Sequence, residues 1–277
     1  MAAISAKDVK KLREMTGVGM MDCKKALVEA DGDFDTAVEI LRKKGQKVAA
    51  KRADRDATEG VIATAASDDG ATAVIVEVNS ETDFVARNDD FTGFADKIAQ
   101  LILKEQPADL DALNALAFEG GRTVGDAQTD MTGKIGEKIS VRRFEIVRAD
   151  GGKVVEYVHP GAQLGVLVQT AGDGDAETAG RDVAMQVAAL NPMATTREDI
   201  DEETKQKEME IGREQARAEG KPEQILDRIA TGKLERYYKD NVLVEQPFVK
   251  DSSMTVKEML KQKGVEVKRF VRFALGA

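Results

Sequence analysis

Apolar residues recur with a helical period over the first 45 residues, in three short segments. Ser5 and Asp8 have the spacing of a capping box, which opens the first helix, and residues 16–19 break it. The second segment has an apolar stripe that is expected to face inward, at Met20, Cys23, Leu27 and Ala30. The third has apolar residues at i, i+3, i+4 and i+7, namely Phe34, Ala37, Val38 and Leu41. The pattern predicts a small three-helix module whose last helix ends at Gly45.

Residues 42–55 are rich in lysine and arginine and contain few apolar residues. Such a run is typical of a solvated helical or flexible linker, and a phosphate-binding tract is the alternative. We therefore assign residues 1–55 to the helical module and its basic linker.

Short apolar runs predict strands in the middle of the chain. Strands are expected at residues 61–66 and 72–78, which are joined by the turn signal Ser-Asp-Asp-Gly. Residues 139–148 and 153–159 are expected to pair as a second hairpin, and residues 163–170 add another strand. Amphipathic helices follow each set, with apolar faces at Phe91, Phe94, Ala95, Ile98 and Ile102, and at Val183, Val187 and Leu190.

The order of strand, polar loop and amphipathic helix therefore occurs twice. Because the strands come in hairpins, this repeat favours an α+β fold with two related antiparallel-sheet and helix subdomains over a doubly wound parallel sheet. We place one core subdomain at residues 56–138 and the other at residues 139–195 together with 242–277.

Residues 196–241 differ from both subdomains in their density of alternating charges. Two helical patterns are joined there by Gly220, Lys221 and Pro222. They predict an inserted antiparallel helical hairpin, which is too polar to be buried on both sides and is expected to project into solvent.

Composition narrows the classes of function. A formal charge of −9 and a pI near 5.0 argue against nucleic acid as a direct partner, because phosphate binding needs a basic surface. One cysteine, Cys23, and one histidine, His159, exclude a disulfide framework and cysteine- or histidine-rich metal sites. The first residues lack a signal-peptide pattern, and no run approaches the roughly 20 apolar residues of a membrane span. We expect a cytoplasmic protein with no membrane contact.

No catalytic or nucleotide-binding motif is present. Gly17 and Gly19 lack the third glycine of a dinucleotide loop, because Asp22 stands at that position. His159 has no nucleophile ordered beside it in sequence, so a structural or exposed histidine is its default interpretation. Acidic residues are frequent near residue 80, but they lack calcium-loop spacing and are interpreted first as a solvated run.

Two apolar features that no buried face accounts for remain as candidates for binding. The stretch NSETDFVARNDD, residues 79–90, holds Phe84 and Val85 between acids and shows no strand or helix period. Phe84 either folds back onto the core or is offered to a partner. Met21 falls beside Lys24 on the outer face of its helix, as a contact patch or as an ordinary exposed methionine.

Several segments, in their order along the chain, resemble the bacterial elongation factor Ts family. They are MTGVGMMDCKKAL at 15–27, EADGD at 29–33, TDFVA at 82–86, His159 with GVLV at 165–168, and QPFV at 246–249. The resemblance implies a ubiquitin-associated-like helical module, two core subdomains and a coiled-coil hairpin.

The same resemblance implies a function. It indicates a guanine-nucleotide exchange factor that binds elongation factor Tu, disturbs the magnesium site of this GTPase and loosens GDP. By motif match, Asp83 and Phe84 would enter the magnesium site, with Thr82 and Val85 shaping the loop. The remaining partner contacts implied are Arg13, Met20, Met21, Lys24, Ile135, His159 and Val249.

The resemblance also implies a protein that is no enzyme and has no cofactor of its own, because it acts on the GDP and magnesium of its partner, and it allows a 2:2 complex. Two other classes remain: a ubiquitin-associated-type adaptor that binds through the first module alone, and a metal-dependent hydrolase that uses the acids near residue 80.

Overall fold

Three helices form the first part of the chain in the computed structural model, which describes residues 4–276. They are α1 (Ala6–Thr16), α2 (Met20–Glu29) and α3 (Phe34–Arg52). The predicted capping box of Ser5 and Asp8 is confirmed, and Gly17 ends α1 in the left-handed conformation. The three helices share a small apolar core of Val9, Leu12, Cys23, Ala26, Leu27, Ala30, Ala37 and Leu41.

The prediction that Gly45 ends the third helix is wrong. Helix α3 continues to Arg52, so the basic run is largely helical and not a flexible linker. Gly45 is buried inside α3 where this helix crosses α7 (Val124–Ile135), and a methyl group on Gly133 of α7 would overlap the Cα of Gly45. The close crossing therefore requires glycine at position 133, whereas a Cβ on Gly45 would meet Gly133 only at 3.5 Å, and Gly45 is an interior residue of α3 and not a helix stop.

The first sheet consists of three antiparallel strands in the order β1–β2–β3. The strands are β1 (Glu59–Ala66), β2 (Thr72–Ser80) and β3 (Ser140–Arg148). The predicted turn between β1 and β2 is confirmed, because the Ser67 N–H donates to the Thr72 carbonyl at 2.8 Å.

The predicted hairpin between the strands at 139–148 and 153–159 is wrong. Strand β3 pairs with β2, whereas β4 (Val154–Val158) belongs to a second sheet, in the order β4–β5–β8. Val147 and Val154 both face the apolar layer between the sheets, so the chain crosses from one sheet to the other at residues 149–153. The boundary that we placed at residue 139 therefore separates β3 from the sheet to which it belongs.

The second sheet is completed by β5 (Leu164–Ala171) and by β8 (Glu266–Ala274), both antiparallel to their neighbours. The two sheets pack face to face through Ile62, Ala73, Ile75 and Val147 on one side and Val154, Leu167, Val271 and Phe273 on the other. Gly165 lies directly below Ile62, where a Cβ would come within 2.6 Å of its Cγ2. The sheets approach closely because this position has no side chain.

Each sheet carries a helix on its outer face. Helix α5 (Asp89–Glu105) packs on β1 and β2, and α8 (Ala176–Leu190) packs on β4 and β5. This arrangement explains why the order of strand, polar loop and amphipathic helix occurs twice in the sequence, because each half of the body buries one face of a sheet under one helix. The fold is α+β, as predicted.

The predicted helical hairpin is formed by α9 (Glu202–Ala218) and α10 (Glu223–Asn241), which we call the hairpin. The two helices pack closely where Gly212 meets Ala230. The base of the hairpin is fixed by a small apolar cluster of Ala194, Ile200, Tyr238 and Val242. Arg197 reinforces this base by pairing with Glu235 and Glu245.

The remaining helices, strands and turns connect the elements described above. They are α4 (Asp83–Ala86), α6 (Leu110–Ala115), the short strands β6 (Pro247–Phe248) and β7 (Asp251–Thr255), α11 (Val256–Lys263), and 3-10 turns at Glu119–Gly121, Arg197–Asp199 and Leu243–Glu245. None of the helices between residues 4 and 276 has both the length and the apolar composition that a membrane crossing requires.

Candidate functional site

The stretch between β2 and α5 contains one turn of helix, α4. We call residues 81–88 the Phe84 loop. Thr82 has an extended backbone, α4 follows, and the Arg87 N–H donates to the Asp83 carbonyl at 3.2 Å. Asn88 then caps α5 by accepting from the Asp90 N–H at 2.9 Å, so two helices begin within a few residues of each other.

Phe84 is the most exposed large apolar side chain in the described part of the protein, at 83% exposure. Its neighbours point the other way, since Val85 packs against the core of the first sheet and Ala86 is buried. Of the two alternatives that the sequence leaves for Phe84, the structure therefore shows the one in which the side chain lies outside the core. A fixed, exposed aromatic ring is the kind of group that anchors protein interfaces.

The Phe84 loop is held to the body by two carboxylates. The Glu137 carboxylate accepts from the Thr82 N–H at 3.0 Å and from the Thr82 hydroxyl at 2.8 Å. Glu81 accepts from the Lys138 N–H at 2.7 Å and from Arg52 at 2.8 Å. The Lys138 N–H, and then Arg52, hold the pKa of Glu81 below its ordinary value.

Sequence analysis missed Glu137, which becomes a neighbour of Thr82 only when β3 pairs with β2. No local pattern marks a carboxylate that lies 55 residues further along the chain.

Two acidic side chains in and beside the Phe84 loop each pair with a different basic residue. Asp83 pairs with Arg87 at 2.8 Å on the surface of α4, and Asp90 pairs with Lys134 at 2.7 Å. Lys134 lowers the pKa of Asp90 through this contact. Among the described residues no cluster of three or more histidine, cysteine or acidic side chains could hold a metal ion. The Asp83–Arg87 pair is exposed, so it costs little to open on binding.

The helical module presents a second apolar surface. Met21 is 64% exposed on α2, and Lys24 and Arg13 are exposed on the same module. The prediction that Met20 faces inward is wrong, since this side chain is 43% exposed. Met20 is the first residue of α2 and lies about 60° around the helix from Cys23, at the edge of the buried stripe.

The other predicted contact residues lie on three different elements. Ile135 is half-buried at the end of α7, two residues before Glu137, and packs on the first core. His159 is exposed between β4 and β5, where its Nδ1 lies 2.9 Å from the Tyr157 hydroxyl. Val249 is 45% exposed after β6, and its N–H donates to the buried Gln186 at 2.8 Å. Ile135 is connected to the Phe84 loop through Glu137, whose carboxylate binds Thr82.

Comparison with known proteins identifies the family. The family model described as elongation factor TS matches residues 81–277. Curated proteins named elongation factor Ts are similar over the whole chain: the one from Prosthecochloris aestuarii is 51% identical, with all of both chains covered. The relative from Chloroherpeton thalassium is 49% identical over all of this chain and 99% of its own, and that from Cytophaga hutchinsonii is 47% identical over 99% of this chain and all of its own. With such identity along its full length, this chain belongs to the elongation factor Ts family of translation elongation factors.

Proposed function

We propose that this protein is the guanine-nucleotide exchange factor of elongation factor Tu. It binds the GDP form of the GTPase, inserts the Phe84 loop near the magnesium ion and promotes release of GDP, so that GTP can bind. The observation that supports this proposal is the exposure of Phe84 on a short helix that is fixed to the body at Thr82.

The physical reasoning concerns the magnesium ion. An ion that bridges a nucleotide and a protein is the largest local charge in its site, so a shift of its ligands weakens nucleotide binding. Phe84 supplies apolar bulk that displaces a neighbouring segment of the GTPase. Asp83 brings a carboxylate to the same place, and among the described residues of the free protein this carboxylate is hydrogen-bonded only to Arg87. Exchange then requires that the factor bind the nucleotide-free GTPase more tightly than the GDP form. By the same linkage, nucleotide that rebinds expels the factor.

The proposal requires no cofactor and no chemical step on this protein. The exposed residues of the helical module, namely Arg13, Met20, Met21 and Lys24, supply a second contact with the partner, with Ile135, His159 and Val249 adding others. In this proposal the three-helix module is ubiquitin-associated-like and the hairpin is a coiled coil. Light scattering of the complex would separate a 1:1 from a 2:2 assembly.

The experiment that tests the proposal measures nucleotide release directly. Elongation factor Tu is loaded with fluorescent GDP, excess unlabelled GDP is added, and the decay is followed with and without this protein. We expect faster decay with the protein, and a smaller acceleration when a chelator has already removed the magnesium. An unchanged decay rate in the presence of magnesium would reject the exchange function.

A further inference from the structure

The turn that follows α7 contacts the first two residues of the Phe84 loop, Glu81 and Thr82. We call residues 136–138 the α7–β3 turn. Both oxygens of Glu137 are used by a single residue, since Oε2 accepts from the Thr82 N–H and Oε1 from the Thr82 hydroxyl. Such paired hydrogen bonds to a carboxylate are stronger than neutral ones and fix orientation as well as distance.

Thr82 makes this contact in place of its usual local one. A threonine that precedes a helix normally accepts a hydrogen bond from a backbone N–H of the first turn, which stabilises the helix by about 1 kcal/mol. Thr82 makes no such side-chain cap on α4, although its φ of −128° and ψ of 155° are those of a cap residue. Its side chain is committed to the body of the protein, so the body sets the direction in which α4 leaves β2.

The same turn binds the preceding residue and the end of α3. The Lys138 N–H donates to Glu81, which also pairs with Arg52 of α3. The Lys138 ammonium donates to the carbonyls of Ala53 and Arg55, at 2.7 and 2.9 Å. A cation is favourable at this position because the carbonyl end of a helix carries partial negative charge.

The Phe84 loop needs such support at its start, because Val85 and Ala86 pack on the first core whereas Phe84 does not. Helix α4 has four residues, and a helix of that length is unstable in isolation. Phe84 itself is 83% exposed and is therefore held mainly by the backbone to which it is attached. The position of its ring thus depends on how the loop is fixed at its first residues, Glu81 and Thr82.

We propose that Glu137 is a positioning residue for nucleotide exchange, which acts through Thr82 to hold Phe84 in the direction required for insertion. This inference rests on the proposed function of the protein. The proposed role requires no contact between Glu137 and the GTPase. The carboxylate of Glu137 acts only as a hydrogen-bond acceptor for Thr82.

Glu137→Ala tests the proposal, and Glu258→Ala is the matched control. Glu258 also binds a threonine that precedes a helix: its Oε2 accepts from the Thr255 N–H at 2.7 Å and from the Thr255 hydroxyl at 3.1 Å, within the local capping box of α11 and away from the Phe84 loop. We expect Glu137→Ala to lower the rate of GDP release at saturating protein by at least about tenfold, because charge-assisted hydrogen bonds that hold the loop are lost. The affinity for nucleotide-free elongation factor Tu and the melting temperature should match those of the control.

Two further variants separate positioning from other roles. The amide of Glu137→Gln can still accept from the Thr82 N–H and donate to the Thr82 hydroxyl, so this variant should recover most of the rate. Thr82→Val removes the hydroxyl, and adding Glu137→Ala to it should lower the rate by less than the product of the two single effects, because the two residues act as one unit. If Glu137→Ala does not fold, the rate of Thr82→Val alone decides, and a normal rate overturns the proposal.

Several results would overturn the proposal while leaving exchange activity intact. They are a normal rate for Glu137→Ala, fully multiplicative effects with Thr82→Val, a Gln variant as slow as the Ala variant, and a loss of affinity as large as the loss of rate. A wild-type protein that does not accelerate GDP release would instead reject the proposed function.

Discussion

Replacing Phe84 with alanine should separate exchange from stability. Full burial of a phenylalanine side chain is worth about 1.5–3 kcal/mol, and the 83% exposure of Phe84 leaves only about a sixth of its surface covered. The free energy of unfolding should therefore fall by about 0.3–0.5 kcal/mol, and alanine, which favours helix more than phenylalanine does, offsets part of this in α4. A buried aromatic anchor in an interface is worth about 2 kcal/mol or more, so GDP release should slow by about 30-fold.

The assay pairs a urea denaturation curve with the rate of fluorescent GDP release, measured for wild type, Phe84→Ala and Phe91→Ala. Phe91 is fully buried at the start of α5, and its truncation should cost about 3–5 kcal/mol. If Phe84→Ala loses as much stability as Phe91→Ala and its folded fraction exchanges normally, Phe84 is a core residue and our reasoning is wrong.

Three other predictions concern separate parts of the molecule. Replacing Met21 and Lys24 together with alanine should weaken binding of elongation factor Tu by about tenfold without changing helicity; equal titration-calorimetry curves would assign both to ordinary surface. Deleting residues 208–233 and closing the gap with a short glycine linker leaves the base cluster of the hairpin and Leu234, which packs on it, in place, so melting should stay cooperative, and a broad transition would place the hairpin in the core. The pKa of Glu81 is lowered on folding, so this carboxylate stabilises the protein fully above its ordinary value of 4.5 and loses that effect as pH falls through the folded value. The difference in unfolding free energy between wild type and Glu81→Gln should therefore shrink as pH falls below 4.5, and a difference that stays constant while the carboxylate becomes protonated would contradict the assignment.

Local patterns predicted the features whose cause is local. The capping box of Ser5, the turn between β1 and β2 and the amphipathic face of α5 all follow from residues that are near each other in sequence. The predicted face of α8 is confirmed at Val183 and Val187 but is wrong at Leu190, the last residue of the helix, which is 45% exposed. The position of Phe84 outside the core could also be predicted, because no period of 2 or 3.6 residues commits it to a buried face.

Features that depend on long-range packing could not be predicted from one sequence. Gly45 has the sequence appearance of a helix stop, yet α3 continues past it, and its close contact with Gly133 of α7 depends on packing that the sequence does not show. The residues 149–152 look like a hairpin turn, yet β3 is drawn to β2 because that pairing buries Val147 between the sheets. The hydrogen bonds from Thr82 to Glu137 depend on this same pairing of β3 with β2, so the sequence alone did not predict them.

The topology of the second sheet has a consequence for the synthesis of the protein. Strand β5 pairs with β8, with Leu164 opposite Ala274 and Ala171 opposite Glu266. Helix α8, the hairpin and α11 all lie between these two strands in sequence. At about 5–20 residues per second, β8 leaves the ribosome on the order of ten seconds after β5. During that time an apolar strand with the sequence LGVLVQTA has an unpaired edge, while the strands of the first sheet can already pair. Unpaired apolar edges are sites of aggregation, so the nascent chain is most vulnerable at β5, in a segment that the folded protein buries completely at Val166, Leu167 and Val168.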